Sequence, residues 1–222
     1  MLEKYMEEQS LVTTVLKKSL KNDKLVQAYL FSSDDIDYIY KYAKDFSKDI
    51  ISLSGLPSET LENIYKRIDK DEYTELKVVE PDGNTIKKSQ LIELQNSVST
   101  KPVEANKIIY IIKNCEKLNS SSANCILKFL EEPEDDIIAI LLTDNINMVL
   151  PTIKSRCQIL NFKNNNSNKM KNILFFVGLD ITDEDKEKFI HNSIDFLMNI
   201  EKYKINTMIK VKKLAYDVYK TS

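Results

Sequence analysis

The sequence predicts a three-layer α/β domain built on a parallel sheet, followed by a small helical domain. Two short runs, KIIYII (Lys107–Ile112) and IIAILLT (Ile137–Thr143), are apolar without alternation, as central parallel strands covered on both faces must be. Strand-like runs alternate with segments whose apolar residues recur every three or four positions, the spacing of crossover helices. Beyond the polar, asparagine-rich stretch KNNNSNK (Lys163–Lys169), every apolar pattern is helical. The boundary is set there, with an α/β domain over 1–163 and a helical domain over 164–222.

Each element follows from its own residues. Leu11, Val12, Val15, Leu16 and Leu20 repeat at helical spacing, and AYLF (Ala28–Phe31) is a buried strand. Ile36, Ile39, Ala43, Phe46 and Ile50 mark one face of a second helix. LKVVEP is a strand closed by the PDGN turn at Pro81–Asn84. Leu91, Leu94, Gln95 and Val98 suit a helix that ends before TKP. Between the two apolar strands, NSSSANCILKFLEEP supplies serine caps, an apolar face of Ala123, Leu127 and Leu130, and Pro133 as a stop. LPTIKSRCQIL (Leu150–Leu160) is a helix-like turn running into a strand, with Pro151 at the first helical position. MKNILFFVGL, DEDKEKFIHNSIDFLMNI and INTMIKVKKLAYDVYK carry about three helices beyond the linker.

Composition narrows the chemistry. The 222 residues include 32 basic and 34 acidic side chains, a net charge of −2 that gives no global attraction to nucleic acid. No run approaches the roughly 18 to 20 apolar residues needed to span a bilayer, and MLEKYMEEQS lacks a secretory pattern, so a cytoplasmic protein is expected, with no membrane partner. Cys115, Cys125 and Cys157 are too far apart for a CxxC pair and odd in number; they read as small buried apolar residues, and no zinc is expected. His191 is the sole histidine, so a Ser/His/Asp device is not evident.

A sheet of this kind invites a glycine-rich phosphate loop after its first strand. SSDDIDYIYK (Ser32–Lys41) stands there instead, without glycine or a GK[ST] motif and with Asp34 and Asp35 at the phosphate position. Acidic residues that would hold Mg²⁺ after KIIYII are replaced by Lys113, Asn114 and Cys115, and Glu116 is displaced beside a lysine. No cofactor, no metal and no intrinsic ATPase activity are expected.

LVQAYLFSS, KKSQLIELQNSVSTKP and the stretch from Asn106 to Phe162 resemble the delta-prime type of clamp-loader subunit of bacterial DNA polymerase III, within the AAA+ superfamily. The resemblance spans Ser10 to Phe162, and its most specific parts are SANCILKFLEEP and LPTIKSRCQ. It implies an AAA+-like, P-loop NTPase type sheet followed by a helical lid. It also implies that Arg156 is an arginine finger offered across a subunit interface to the γ-phosphate of ATP on a neighbouring gamma/tau ATPase subunit. A planar, permanently charged guanidinium that makes two directed bonds to phosphate oxygens suits that task. Ser155 would keep the flank of the finger small and Cys157 would begin a strand and anchor the turn. Glu131 and Glu132 would serve at the interface or form a solvated helix end. Thr143 matches the position that senses γ-phosphate in active sites of the superfamily, and is expected to be a structural hydrogen-bonding residue here.

The implied partners are the gamma/tau and delta subunits and, through the assembled complex, the sliding clamp and primer-template DNA. The chain departs from the pattern in two ways. It has no four-cysteine zinc module between its first two strands, and the collar domain that follows the lid in relatives is expected to be absent. Two other readings stand beside this one. A degenerate ATPase would still bind ATP, and a DNA-binding module would use Lys154, Arg156 and Lys163.

Overall fold

The computed structural model describes residues 1–98, 101–131 and 136–163. The predicted helical domain over 164–222 lies outside the described residues, as do Glu132 and Pro133. Five strands, β1 (Ala28–Ser32), β2 (Leu76–Val79), β3 (Ile108–Ile112), β4 (Ile137–Thr143) and β5 (Gln158–Asn161), form one sheet in the order β2-β3-β4-β1-β5. Every pairing is parallel. Parallel neighbours need a return crossing between strands. Helices α2 (Ile36–Ser52) and α3 (Ser58–Asp69) return from β1 to β2, α4 (Lys88–Val98) from β2 to β3, α5 (Ser120–Glu131) from β3 to β4, and the short α6 (Pro151–Lys154) from β4 to β5; α1 (Ser10–Lys21) precedes the sheet.

The pleat sorts the strand side chains into two cores. Tyr29, Phe31, Ile109, Ile111, Ile138, Ile140 and Leu142 face one side, where Leu16, Ile39, Tyr42, Phe46, Ile64 and Ile68 of α1, α2 and α3 cover them. Leu30, Ile108, Tyr110, Ile112, Ala139 and Leu141 face the other, against Leu91, Leu94, Ala123, Ile126 and Ile153 of α4, α5 and α6. All residues of β3 and β4 are buried, which is why neither strand alternates in sequence. The predicted PDGN turn is present: Asp82 N–H donates to the Thr85 carbonyl at 3.0 Å, and Gly83 has a φ of +68° that favours glycine.

Three expectations are corrected. In α1 the interior face is Val12, Thr13 and Leu16, while Leu11 is 74% exposed and Val15 lies at the surface. The Thr13 hydroxyl pairs with the Tyr42 hydroxyl at 2.8 Å, so a polar residue takes the inward position and turns Leu11 outward. In α5 the buried set is Ser122, Ala123, Ile126 and Leu130, with Leu127 only partly covered. Of the cysteines, Cys115 is buried but Cys125 and Cys157 are half-buried. Burial pushes the Cys157 thiol up to about 12 and the Cys115 thiol well above its usual range, so both stay protonated near neutrality.

Glu75, just before β2, is buried and gathers the loop that leads into β3. Its carboxylate accepts the backbone N–H groups of Val103, Glu104 (2.7 Å) and Ala105 (2.9 Å) and the Tyr73 hydroxyl (2.8 Å). Burial opposes the charge, but these donors outweigh it and hold Glu75 below its ordinary 4.5. A carboxylate depressed in the folded state contributes stability above its unfolded pKa and loses it as pH falls through the folded value. Unfolding free energy is therefore expected to drop as pH falls below about 4.5. Glu75→Gln should cost about 2–3 kcal/mol at pH 7, since charged hydrogen bonds are lost while the buried donors remain. Urea unfolding of both proteins from pH 3 to 7 checks this: the difference between them should shrink as the acid limit is approached, and a difference independent of pH would rule out Glu75 as the source.

Candidate functional site

Strand direction divides the functional side chains into two groups at opposite ends of the sheet. At the carboxyl ends lie the residues after β1, β3 and β4, where open α/β sheets hold their ligands. Ser33 N–H donates to the Thr143 carbonyl at 3.1 Å, and Ser33 Oγ accepts the Asp35 N–H at 3.2 Å. Asp35 is the N-cap of α2, its carboxylate accepting the Tyr38 N–H at 2.9 Å. In a phosphate loop that helix terminus would be free to receive an anion; here the chain supplies its own.

Metal-binding positions are likewise occupied by internal pairs. Lys113, where a Mg²⁺-holding carboxylate would stand, donates to Glu80 at 2.7 Å and lies 4.6 Å from the centre of the Tyr40 ring. Lys44 flanks the same ring at 5.2 Å and donates to Asp71 at 2.9 Å, and the Tyr40 hydroxyl donates to Asp71 at 2.7 Å. Asn114 takes the left-handed conformation, with φ 49°, and leads into a 3₁₀ turn over Cys115–Lys117. Thr143 is fully buried; its hydroxyl donates to Glu116 at 2.7 Å and accepts the Asn145 N–H at 3.1 Å. Both hydrogen-bonding roles of that hydroxyl are thus taken by the chain. Glu116, which the sequence marks only as an acid displaced beside a lysine, is the partner of Thr143. Among the described residues no group of three or more His, Cys, Asp and Glu side chains is arranged to hold a metal ion, and no helix is long and apolar enough to cross a membrane.

The second group lies at the amino ends. β5 starts at Gln158, which pairs in register with Tyr29 near the start of β1. α5 runs back from the carboxyl end of β3 and stops at Glu131, ahead of β4. Arg156 follows α6, whose first residue is Pro151, as the sequence predicted. Its Nη1 donates to the Thr152 carbonyl at 2.8 Å and to Ser155 Oγ at 3.3 Å, and its Nη2 donates to Glu131 at 2.5 Å. The Arg156 side chain is 32% exposed. Ser155 is exposed and its hydroxyl also donates to the Thr152 carbonyl; Cys157 sits one residue before β5, half-buried. The structure therefore joins Arg156, Ser155 and Glu131, while Glu132 is outside the described residues. At about 3.3 Å per strand residue, roughly 10–15 Å of sheet separates Arg156 from Ser33 and Thr143.

A five-stranded parallel sheet in this order, with an arginine turn before the edge strand, has the fold of an AAA+-like α/β module. Residues 8–166 match the family described as DNA polymerase III, delta subunit. The DNA polymerase III subunit delta' of Bacillus subtilis is 38% identical over 154 residues, which are 68% of this chain and 46% of that protein. The DNA polymerase III subunit tau/gamma of Haemophilus influenzae is 31% identical over 149 residues, 66% of this chain and 21% of that protein. The chain spans less than half the length of either relative. A solved DNA polymerase III gamma subunit-related protein from Thermotoga maritima shares the fold, with a TM-score of 0.54 at 16% identity over 88% of this chain and 64% of that one. The chain belongs to the DNA polymerase III delta-prime subunit family.

Proposed function

We propose that this chain is a non-catalytic delta-prime-type subunit of a replicative clamp loader, supplying Arg156 in trans to ATP held by a neighbouring gamma/tau-type ATPase subunit. The partners under this reading are the gamma/tau and delta subunits, with the sliding clamp and primer-template DNA engaged through the assembled complex. One observation carries it. Arg156 lies at the amino ends of the strands, away from the Ser33, Asp35 and Thr143 end of its own sheet, which supports a role towards a phosphate held by another molecule. The carboxyl end of the sheet supports the non-catalytic part, because Asp35, Lys113 and Thr143 stand where nucleotide and Mg²⁺ would bind and are engaged by Tyr38, Glu80 and Glu116.

Calorimetric titration with Mg·ATP is expected to give no binding in the micromolar range, and micromolar binding would favour the degenerate-ATPase reading. Adding the chain to gamma/tau-type and delta subunits, with clamp and primer-template DNA, should raise ATP turnover. An unchanged rate in a complex shown to contain the chain would remove the in-trans role.

A further inference from the structure

We infer that Glu131 is a positioning residue for Arg156, orienting the guanidinium that the neighbouring subunit's phosphate receives. This rests on the finger reading of Arg156. The two most specific motifs of the sequence, one running along α5 and one through α6, are joined by an ion pair between Glu131 and Arg156 Nη2. The other terminal nitrogen is fixed by the Thr152 carbonyl and Ser155 Oγ. The guanidinium is thus tied at both terminal nitrogens.

The position of Glu131 is not explained by its own helix. The last turn of α5 carries the negative end of the helix dipole, which favours cations such as Lys128 and disfavours a carboxylate. A local preference broken in this way points to a site rather than to helix stability. The chemistry also fits orientation better than withholding. A guanidinium has five N–H donors in a rigid fork, so bonds to Glu131, Thr152 and Ser155 leave further N–H groups for phosphate oxygens. Glu131 need not release Arg156 when the phosphate arrives. What it removes is the rotamer freedom of a long side chain that otherwise has to be ordered at each encounter.

The test compares Glu131→Ala, Glu131→Gln and Arg156→Ala in the reconstituted loader, alone and as the Arg156→Ala/Glu131→Ala double variant. The Glu131 side chain is 49% exposed, so its truncation leaves the core untouched. Glu131→Ala is expected to lower kcat of the partner ATPase about two- to fivefold, the weight of an oriented exposed ion pair, with KM for ATP unchanged. Glu131→Gln, which keeps the acceptor oxygen, should retain most of the rate. In the Arg156→Ala background Glu131→Ala should have no further effect. A rate that rises in Glu131→Ala, or a loss that persists undiminished without Arg156, overturns the inference. If Arg156→Ala alone changes nothing, the finger reading itself fails. The orienting contact is then judged on the isolated chain by the NMR order parameter of the Arg156 Nε–H bond, expected to fall in Glu131→Ala; an unchanged value overturns it.

Discussion

Replacing Arg156 by alanine is expected, under the proposed reading, to lower ATP turnover in a neighbouring ATPase subunit, while this chain remains folded and assembled. As γ-phosphoryl transfer proceeds, charge gathers on oxygens that a preorganised guanidinium can meet, and fingers of this kind contribute about 10³- to 10⁵-fold to turnover. Under that reading the whole loader should register less than that range, since interfaces between its other subunits would carry arginines of their own. Stability should scarcely change: the pair with Glu131 is exposed, and such pairs contribute about 0.2–1 kcal/mol. Arg156→Lys should restore little, since an ammonium cannot reproduce the planar fork. The measurement is clamp- and DNA-stimulated ATPase of the reconstituted complex. Equal rates for wild type and Arg156→Ala, with assembly intact, would make Arg156 an ordinary surface charge.

The largest expected effect on folding lies at Phe31. This residue is fully buried in the middle of β1, with its ring 5.1 Å from Phe162, 6.1 Å from Tyr42 and 6.2 Å from Phe46. Those partners lie in α2 and just beyond β5, so the ring ties β1 to the helix above it and to the neighbouring edge of the sheet. Phe31→Ala should cost about 3–5 kcal/mol, from the lost transfer energy together with the cavity it leaves. In a chain of this size the corresponding fall in Tm is about 10 °C or more. Urea unfolding checks it: the midpoint should drop with little change in slope, and a loss below about 1 kcal/mol would mean that the surrounding rings collapse into the space.

How much of this was legible depended on whether the signal was local. β3 and β4 were readable because burial on both faces leaves no polar alternation, and the observed strands, Ile108–Ile112 and Ile137–Thr143, fall within the predicted runs. α3 was not read as a helix, because only Ile64 and Ile68 are buried and the remainder of Ser58–Asp69 is largely polar; that i, i+4 pair following Pro57 was the available signal. The face of α1 was misjudged because hydrophobic spacing cannot anticipate a Thr13–Tyr42 hydroxyl pair formed across 29 residues. At the site, the missing phosphate loop and the lysine at position 113 were visible directly. Their replacements were not, since the pairing of Lys113 with Glu80 and of Thr143 with Glu116 spans 33 and 27 residues. Arg156 was singled out through its motif, whereas its bond to Glu131, 25 residues away, exists only once α5 and α6 lie side by side.

The separation of Arg156 from the carboxyl end of the sheet gives the molecule a polarity. In a head-to-tail array each member turns an outgoing face to the incoming face of the next. Under the proposed reading this chain has an outgoing arginine, but its incoming face already holds Asp35, Lys113 and Thr143 in bonds of their own. On that reading such a member belongs at a terminus. At the open end of a series it leaves every working junction intact, whereas in the interior it would erase one. Subunit order would then be dictated by reaction chemistry as well as by surface shape, because only one location lets this chain contribute an arginine without displacing a site that burns ATP.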